Sequence, residues 1–145
     1  MTTIIGIDHG ARRIGVAVGD TETGMAFTRP AIRARSAAAA TDAIRLLAAD
    51  ERATLVVLGL PVSLDGTEGP QAERVRGFGE RLTRIGLEVA YEDERLSSWA
   101  AGDILLTSGR RPARAGGEVD SAAACLILQQ YLDARTSPGR LEETR

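Results

Sequence analysis

Three separated parts of the chain bring a carboxylate to a place where an extended run ends or a helix begins. Asp8 closes the apolar run TIIGID at 3–8, Asp93 and Glu94 close LEVAYEDE at 87–94, and Asp120 falls in the first turn of the helical stretch EVDSAAACLILQQYLDAR. Taken singly, each is an ordinary capping or solubilising acid. Together they imply something else if the fold gathers them: clustered carboxylates repel, and the cluster persists only with a cation between them or with protons taken up. An oxygen-only donor set, with no imidazole or thiolate, suits Mg2+ or Mn2+ rather than zinc. Two such ions, about 3.5 to 4 Å apart and bridged by one carboxylate, clamp the attacking and leaving oxygens of an in-line phosphoryl displacement. The chemistry this pattern points to is metal-dependent hydrolysis of phosphodiester bonds. His9, the one histidine, follows Asp8 directly and projects to the other side of an extended strand, so no histidine-based nucleophile triad is available.

The elements that must position these acids follow from periodicity. Residues 3–8, 13–19 (RIGVAVG) and 25–34 (MAFTRPAIRA) read as three strands, joined by short links containing Gly10 and Gly24 that make them antiparallel neighbours. A helix comes next, capped by Ser36 or Thr41, with Ala40, Ile44 and Leu47 at helical spacing. TLVVLGL at 54–60 is nearly continuous in apolar residues, as a strand buried on both faces should be. Residues 71–85 place Val75, Phe78, Leu82 and Ile85 on one helical stripe, and 87–94 supplies a fifth strand. SSWAAGDILLTSG reads as a helix capped by Ser97 or Ser98, and 118–135 as a long final helix. Strands joined through helices are parallel, so the predicted fold class is α/β: a mixed five-stranded sheet, its first three strands antiparallel, flanked by helices. Ligands of such sheets sit beyond the carboxyl ends of the parallel strands, where Asp8 and Glu94 lie.

With 145 residues the chain is expected to form one domain over 1–135, followed by a polar tail at 136–145. The lone Cys125 excludes a disulfide framework and fits a reducing, cytoplasmic setting; no window reaches the length of a membrane span. A net charge of -2 gives no global field for nucleic acid, so an anionic partner must be held by local patches. Every basic side chain is arginine, whose planar fork holds phosphate oxygens in pairs. Arg12 lies in the first turn, Arg95 follows Glu94, and Arg110, Arg111 and Arg114 crowd the loop SGRRPARAGG just before Asp120. That loop is placed to straddle a phosphodiester backbone in a salt-dependent way. The block GLPVSLDGTE carries an Asp65–Gly66 turn ahead of a helix. It is either a plain strand-to-helix connection or a place where helix-start amides hold a phosphate.

The blocks IDHGARRIGVAVGD, VVLGLPVSLDGTEGPQAERV, YEDERLSSWAA and VDSAAACLILQQYL resemble, in order and spacing, the signature blocks of the YqgF (RuvX) family of pre-16S rRNA nucleases related to Holliday junction resolvases. The resemblance implies a ribonuclease H-like fold. It also implies that Asp8, Glu94 and Asp120 are the metal-binding acids, with Asp8 as the bridging ligand and Mg2+ or Mn2+ as cofactor. The expected partner is nucleic acid, either pre-rRNA or other structured RNA, or branched DNA, and paired cuts in a four-way junction would call for a homodimer. One departure is visible: Gly116, Gly117 and Glu118 stand where the family often has lysine before its last acid. A non-catalytic nucleic-acid-binding factor in rRNA maturation or transcription is therefore the alternative. The first hairpin is also similar to the phosphate-binding hairpin of the sugar-kinase, Hsp70 and actin superfamily, whose members need two such domains to enclose ATP.

Overall fold

The computed structural model describes residues 2–10, 12–93 and 117–136, the side chains of the last segment from 121 to 135. Among the described residues five strands and three helices follow one another: β1 (Thr3–His9), β2 (Arg13–Asp20), β3 (Ala26–Arg33), α1 (Ala37–Glu51), β4 (Ala53–Leu60), α2 (Pro70–Arg84), β5 (Glu88–Asp93) and α3 (Gly117–Thr136). They form one sheet in the order β3-β2-β1-β4-β5. β1–β2 and β2–β3 are antiparallel, whereas β1–β4 and β4–β5 are parallel, so the mixed sheet read from the sequence is the sheet observed. The helix expected over 97–109 lies outside the described residues.

Strand alternation divides the core in two. Ile5, Ile7, Val16, Val18, Val56 and Leu58 face α1 and α2 and pack against Ile44, Val75, Phe78 and Leu82. Ile4, Ala17 and Val57 face α3 and pack against Ala124, Ile127, Leu128 and Leu132. β4 is thus apolar on both faces, which explains its unbroken apolar run. Ser36 caps α1, its hydroxyl accepting from the Ala39 amide at 3.1 Å; Thr41, the other candidate, bonds instead to the Ala37 carbonyl inside the helix. α1 ends at Arg52 in the left-handed region, φ 57°.

α3 lies directly on β1 because Gly6 has no side chain. A Cβ there would come within 2.7 Å of Leu128 Cβ and 2.9 Å of the Ala124 carbonyl oxygen. Two glutamines fasten the helix laterally. Gln129 accepts from the Ala26 amide and donates to the Gly24 carbonyl at the start of β3, and Gln130 donates to the Glu92 carboxylate of β5 at 2.6 Å. Cys125 is half-buried, its thiol against the Ala26 carbonyl. No helix among the described residues is long and apolar enough to cross a membrane.

Candidate active site at the carboxyl end of β1

Asp8 is the penultimate residue of β1 and pairs with Gly15 of β2. Alternation from Ile4 and Gly6, both against α3, assigns its half-buried side chain to the α3 face. His9 takes the opposite face, with its ring 4.9 Å from that of Phe78 in α2. The neighbours Asp8 and His9 are therefore on opposite sides of the sheet, as an extended strand requires. Burial lowers the His9 pKa from its ordinary value; a backbone hydrogen bond opposes the shift, and the nearby Arg74 guanidinium adds to it. The turn after His9 is closed by the Gly10 amide donating to the Arg13 carbonyl at 3.0 Å. A Cβ on Gly10 would sit 2.5 Å from that same oxygen, so the tight turn requires glycine.

The start of α3 is tied to this end of the sheet by Ser121, which is fully buried. The β2–β3 register slips between Ile14, paired with Ile32, and Val16, paired with Arg29. Pro30, inside the slip, has no amide hydrogen to offer. Ser121 fills the gap: its hydroxyl accepts from the Val16 amide at 3.1 Å and donates to the Arg29 carbonyl. Val16 is next to Gly15, the partner of Asp8, so this bond brings the first turn of α3 to the carboxyl end of β1. Asp120 immediately precedes Ser121 in that turn. The sequence reading passed over Ser121. The signal available was a single hydroxyl in an otherwise apolar helical run directly after the acid.

The other assigned positions are distributed as follows. Glu94, Arg95, Arg110, Arg111 and Arg114 lie outside the described residues, and Asp120 is described in its backbone alone. Accordingly, no three His, Cys, Asp or Glu side chains among the described residues come together as a metal site. β5 runs up to Asp93, with Val89 and Tyr91 toward α2 and Ala90 toward α3. The same alternation puts Glu92, bonded to Gln130, on the α3 face and Asp93 on the other. Arg12 is exposed in the β1–β2 turn. In GLPVSLDGTE, Gly66 at φ 90° makes the turn that Asp65 stabilises by accepting from the Thr67 amide, and Glu68 pairs with Arg76 at 2.7 Å. That block is a built turn leading into α2. The donor chemistry near Asp8 fits a hard divalent ion: the one imidazole faces away, and the one thiol is engaged at Ala26.

Comparison with known proteins bears on the family and the fold. The model of the family RuvX, described as Holliday junction resolvase, matches residues 2–134. A protein of Synechococcus elongatus named "Putative pre-16S rRNA nuclease" is 40% identical, the match covering 97% of this chain and 95% of that one. One of the same name from Chloroflexus aggregans is 41% identical over 94% and 96% of the two chains. Among solved structures, T. thermophilus RuvC in complex with Holliday junction substrate superposes with a TM-score of 0.61 at 14% identity, covering 94% of this chain and 97% of that one. The Fowlpox virus resolvase in complex with Holliday junction DNA gives 0.60 at 10% identity, over 94% and 100%. At such identities the last two establish the fold as resolvase-like. The match over nearly the whole length places the chain in the RuvX family of Holliday junction resolvases.

Proposed function

We propose that the protein is a divalent-metal-dependent nuclease that hydrolyses phosphodiester bonds in structured RNA. Its role would be maturation of the 5′ end of pre-16S rRNA, with branched DNA as a further substrate. The observation that supports this reading is the bond from the Val16 amide to the Ser121 hydroxyl, which ties the first turn of α3, where Asp120 precedes Ser121, to β2 next to Gly15, the partner of Asp8. Asp8, Glu94 and Asp120 are the residues that would hold Mg2+ or Mn2+. In sequence, Glu94 falls two and four residues after Glu92 and Ala90, the β5 positions that share the α3 face with Asp8. The names of the relatives support the substrate, and the likeness to junction resolvases supports the fold. When bound, the ions supply activation of the attacking water and charge stabilisation at the leaving oxygen.

The chain's own contribution is placement. Gly10 lets the chain turn tightly directly after Asp8 and His9, where a Cβ would meet the Arg13 carbonyl oxygen. Gly6 and Ser121 hold α3 at fixed height and register over β1. Arg95, Arg110, Arg111 and Arg114 are assigned to the bound strand. Resolution of a four-way junction would further require a homodimer, since two symmetric cuts need two centres.

The test is a substrate panel of pre-16S leader RNA, single-stranded RNA and four-way DNA junctions, each with Mg2+ and with Mn2+, for the natural protein and for Asp8→Asn. Metal-dependent cleavage that the variant loses, while its thermal unfolding stays unchanged, is the expected result. Equal cleavage by Asp8→Asn would overturn the site. Tight binding with no cleavage of any substrate would favour the non-catalytic factor.

A further inference from the structure

On the sheet face opposite Asp8, the β1–β2 turn, the start of α1 and one side of α2 enclose a cavity of about 410 Å³. Among the described residues four arginines line it, Arg12, Arg35, Arg74 and Arg81, and no carboxylate does. In a chain with more acids than bases this is an unusual local excess. Elsewhere among the described residues three arginines pair with acids, Arg29 with Glu51, Arg45 with Asp42 and Arg76 with Glu68, while Arg33, Arg52 and Arg84 are not gathered in this cavity. Among the described residues, Arg12, Arg35 and Arg81 pair with no acid, and Arg74 bonds the neutral Gln71 amide oxygen at 2.8 Å. Like charges gathered in this way repel, and an anion seated among them removes the penalty.

A further feature points the same way. Ser36 and Ala37, the cap and first residue of α1, are at the cavity wall, and the first turn of α1 contains no acid to offset its positive end. The cavity thus combines guanidinium forks with the positive end of a helix.

We propose that this cavity is a phosphate-binding site distinct from the acid centre, and that it seats a phosphate of the same nucleic-acid strand after the strand has crossed the carboxyl edge of β1. The turn that separates the two sites is only Gly10 to Arg13, so one strand passing over it reaches both faces. The identity of the ligand as a strand rests on the nuclease reading; the affinity for phosphate does not. The same chemistry would also accept a free phosphate ester, and the experiment separates the two sources.

The full-length protein and an Arg35→Gln/Arg81→Gln variant are compared in metal-free buffer. Thermal unfolding is followed with and without inorganic pyrophosphate, and binding of a single-stranded RNA oligonucleotide is measured as a function of salt. Arg45→Gln, which removes a paired arginine outside the cavity, serves as control, and Arg35→Lys/Arg81→Lys tests whether charge alone suffices. Pyrophosphate should raise the unfolding temperature of the natural protein and the control but not of the glutamine variant. RNA affinity of that variant should fall by about tenfold or more with a shallower salt dependence, as expected when two phosphate contacts are lost. Lysine should restore part of both effects. Equal pyrophosphate stabilisation in all proteins would overturn the site. Loss of the pyrophosphate effect with RNA binding unchanged would overturn the strand as its ligand and leave a site for free phosphate esters. Because no metal is present, these readouts are independent of cleavage: failure of the nuclease assay with the pyrophosphate response intact would refute the nuclease reading alone.

Discussion

Replacing Ser121 by alanine removes one oxygen and almost no volume, so no cavity opens. Its cost comes from two backbone groups left without partners. The Val16 amide loses its acceptor and the Arg29 carbonyl its donor, at a site where Ser121 has 0% exposure. A buried polar group left unsatisfied costs about 1 to 3 kcal/mol. The Arg29 carbonyl is partly buried and recovers some solvation, so the sum should be about 2 to 4 kcal/mol. For a chain of this size that corresponds to a fall of roughly 5 to 15 °C in Tm. Urea unfolding, with the midpoint shifted and the slope unchanged, would give the free energy directly. If the bond also sets the height of the Asp120 turn, cleavage at temperatures where the variant is fully folded should drop as well. A loss under about 0.5 kcal/mol would mean that water or a small backbone shift satisfies both groups. The argument that Ser121 anchors the helix would then fail.

Two other outcomes follow from the packing. Gly6→Ala should destabilise by about 1 to 3 kcal/mol, because the new Cβ meets Leu128 Cβ and the Ala124 carbonyl rather than a flexible side-chain end. A second change, Leu128→Ala, keeps that Cβ and should add its own loss instead of relieving the first. Recovery of Tm in the double variant would refute the contact. Burial raises the Tyr91 pKa above its ordinary value of 10, although Arg76, 4.9 Å from the ring centre, opposes the shift. As pH rises the unfolded chain therefore loses this proton first, so stability is full below pH 10 and falls from there toward the folded pKa. Urea midpoints should decline more steeply above pH 10 in the natural protein than in Tyr91→Phe, and parallel curves would refute the shift.

The fold was readable because its determinants are local. β-Branched runs mark β1, β2 and β4, the Val75–Phe78–Leu82 stripe marks α2 despite its two glycines, and Ser36 is one of the two cap candidates at the start of α1. The mixed sheet follows from connection type alone. What joins the elements was not readable, since Ser121 bonds a residue 105 positions away and Gln130 one 38 away, and no periodicity encodes such pairs. The separation of Asp8 from His9 was legible, because alternation along a strand is a rule of the backbone. The arginine cavity was not: Arg12, Arg35, Arg74 and Arg81 come from three parts of the chain and meet only when α1 and α2 pack side by side.

Among the described residues β3 is an outer strand, hydrogen-bonded to β2 and to no other strand. Such a border would ordinarily template another extended chain. Here the register slip bends it midway, and Pro30 contributes no donor at that point. Arg29 and Arg33 add charge along the same border. Two copies of the molecule are therefore poorly suited to merge into one continuous ten-strand ribbon through β3. The irregularity that makes room for a serine hydroxyl thus also protects the folded protein from sheet-to-sheet polymerisation, and straightening it by replacing Pro30 would weaken that protection.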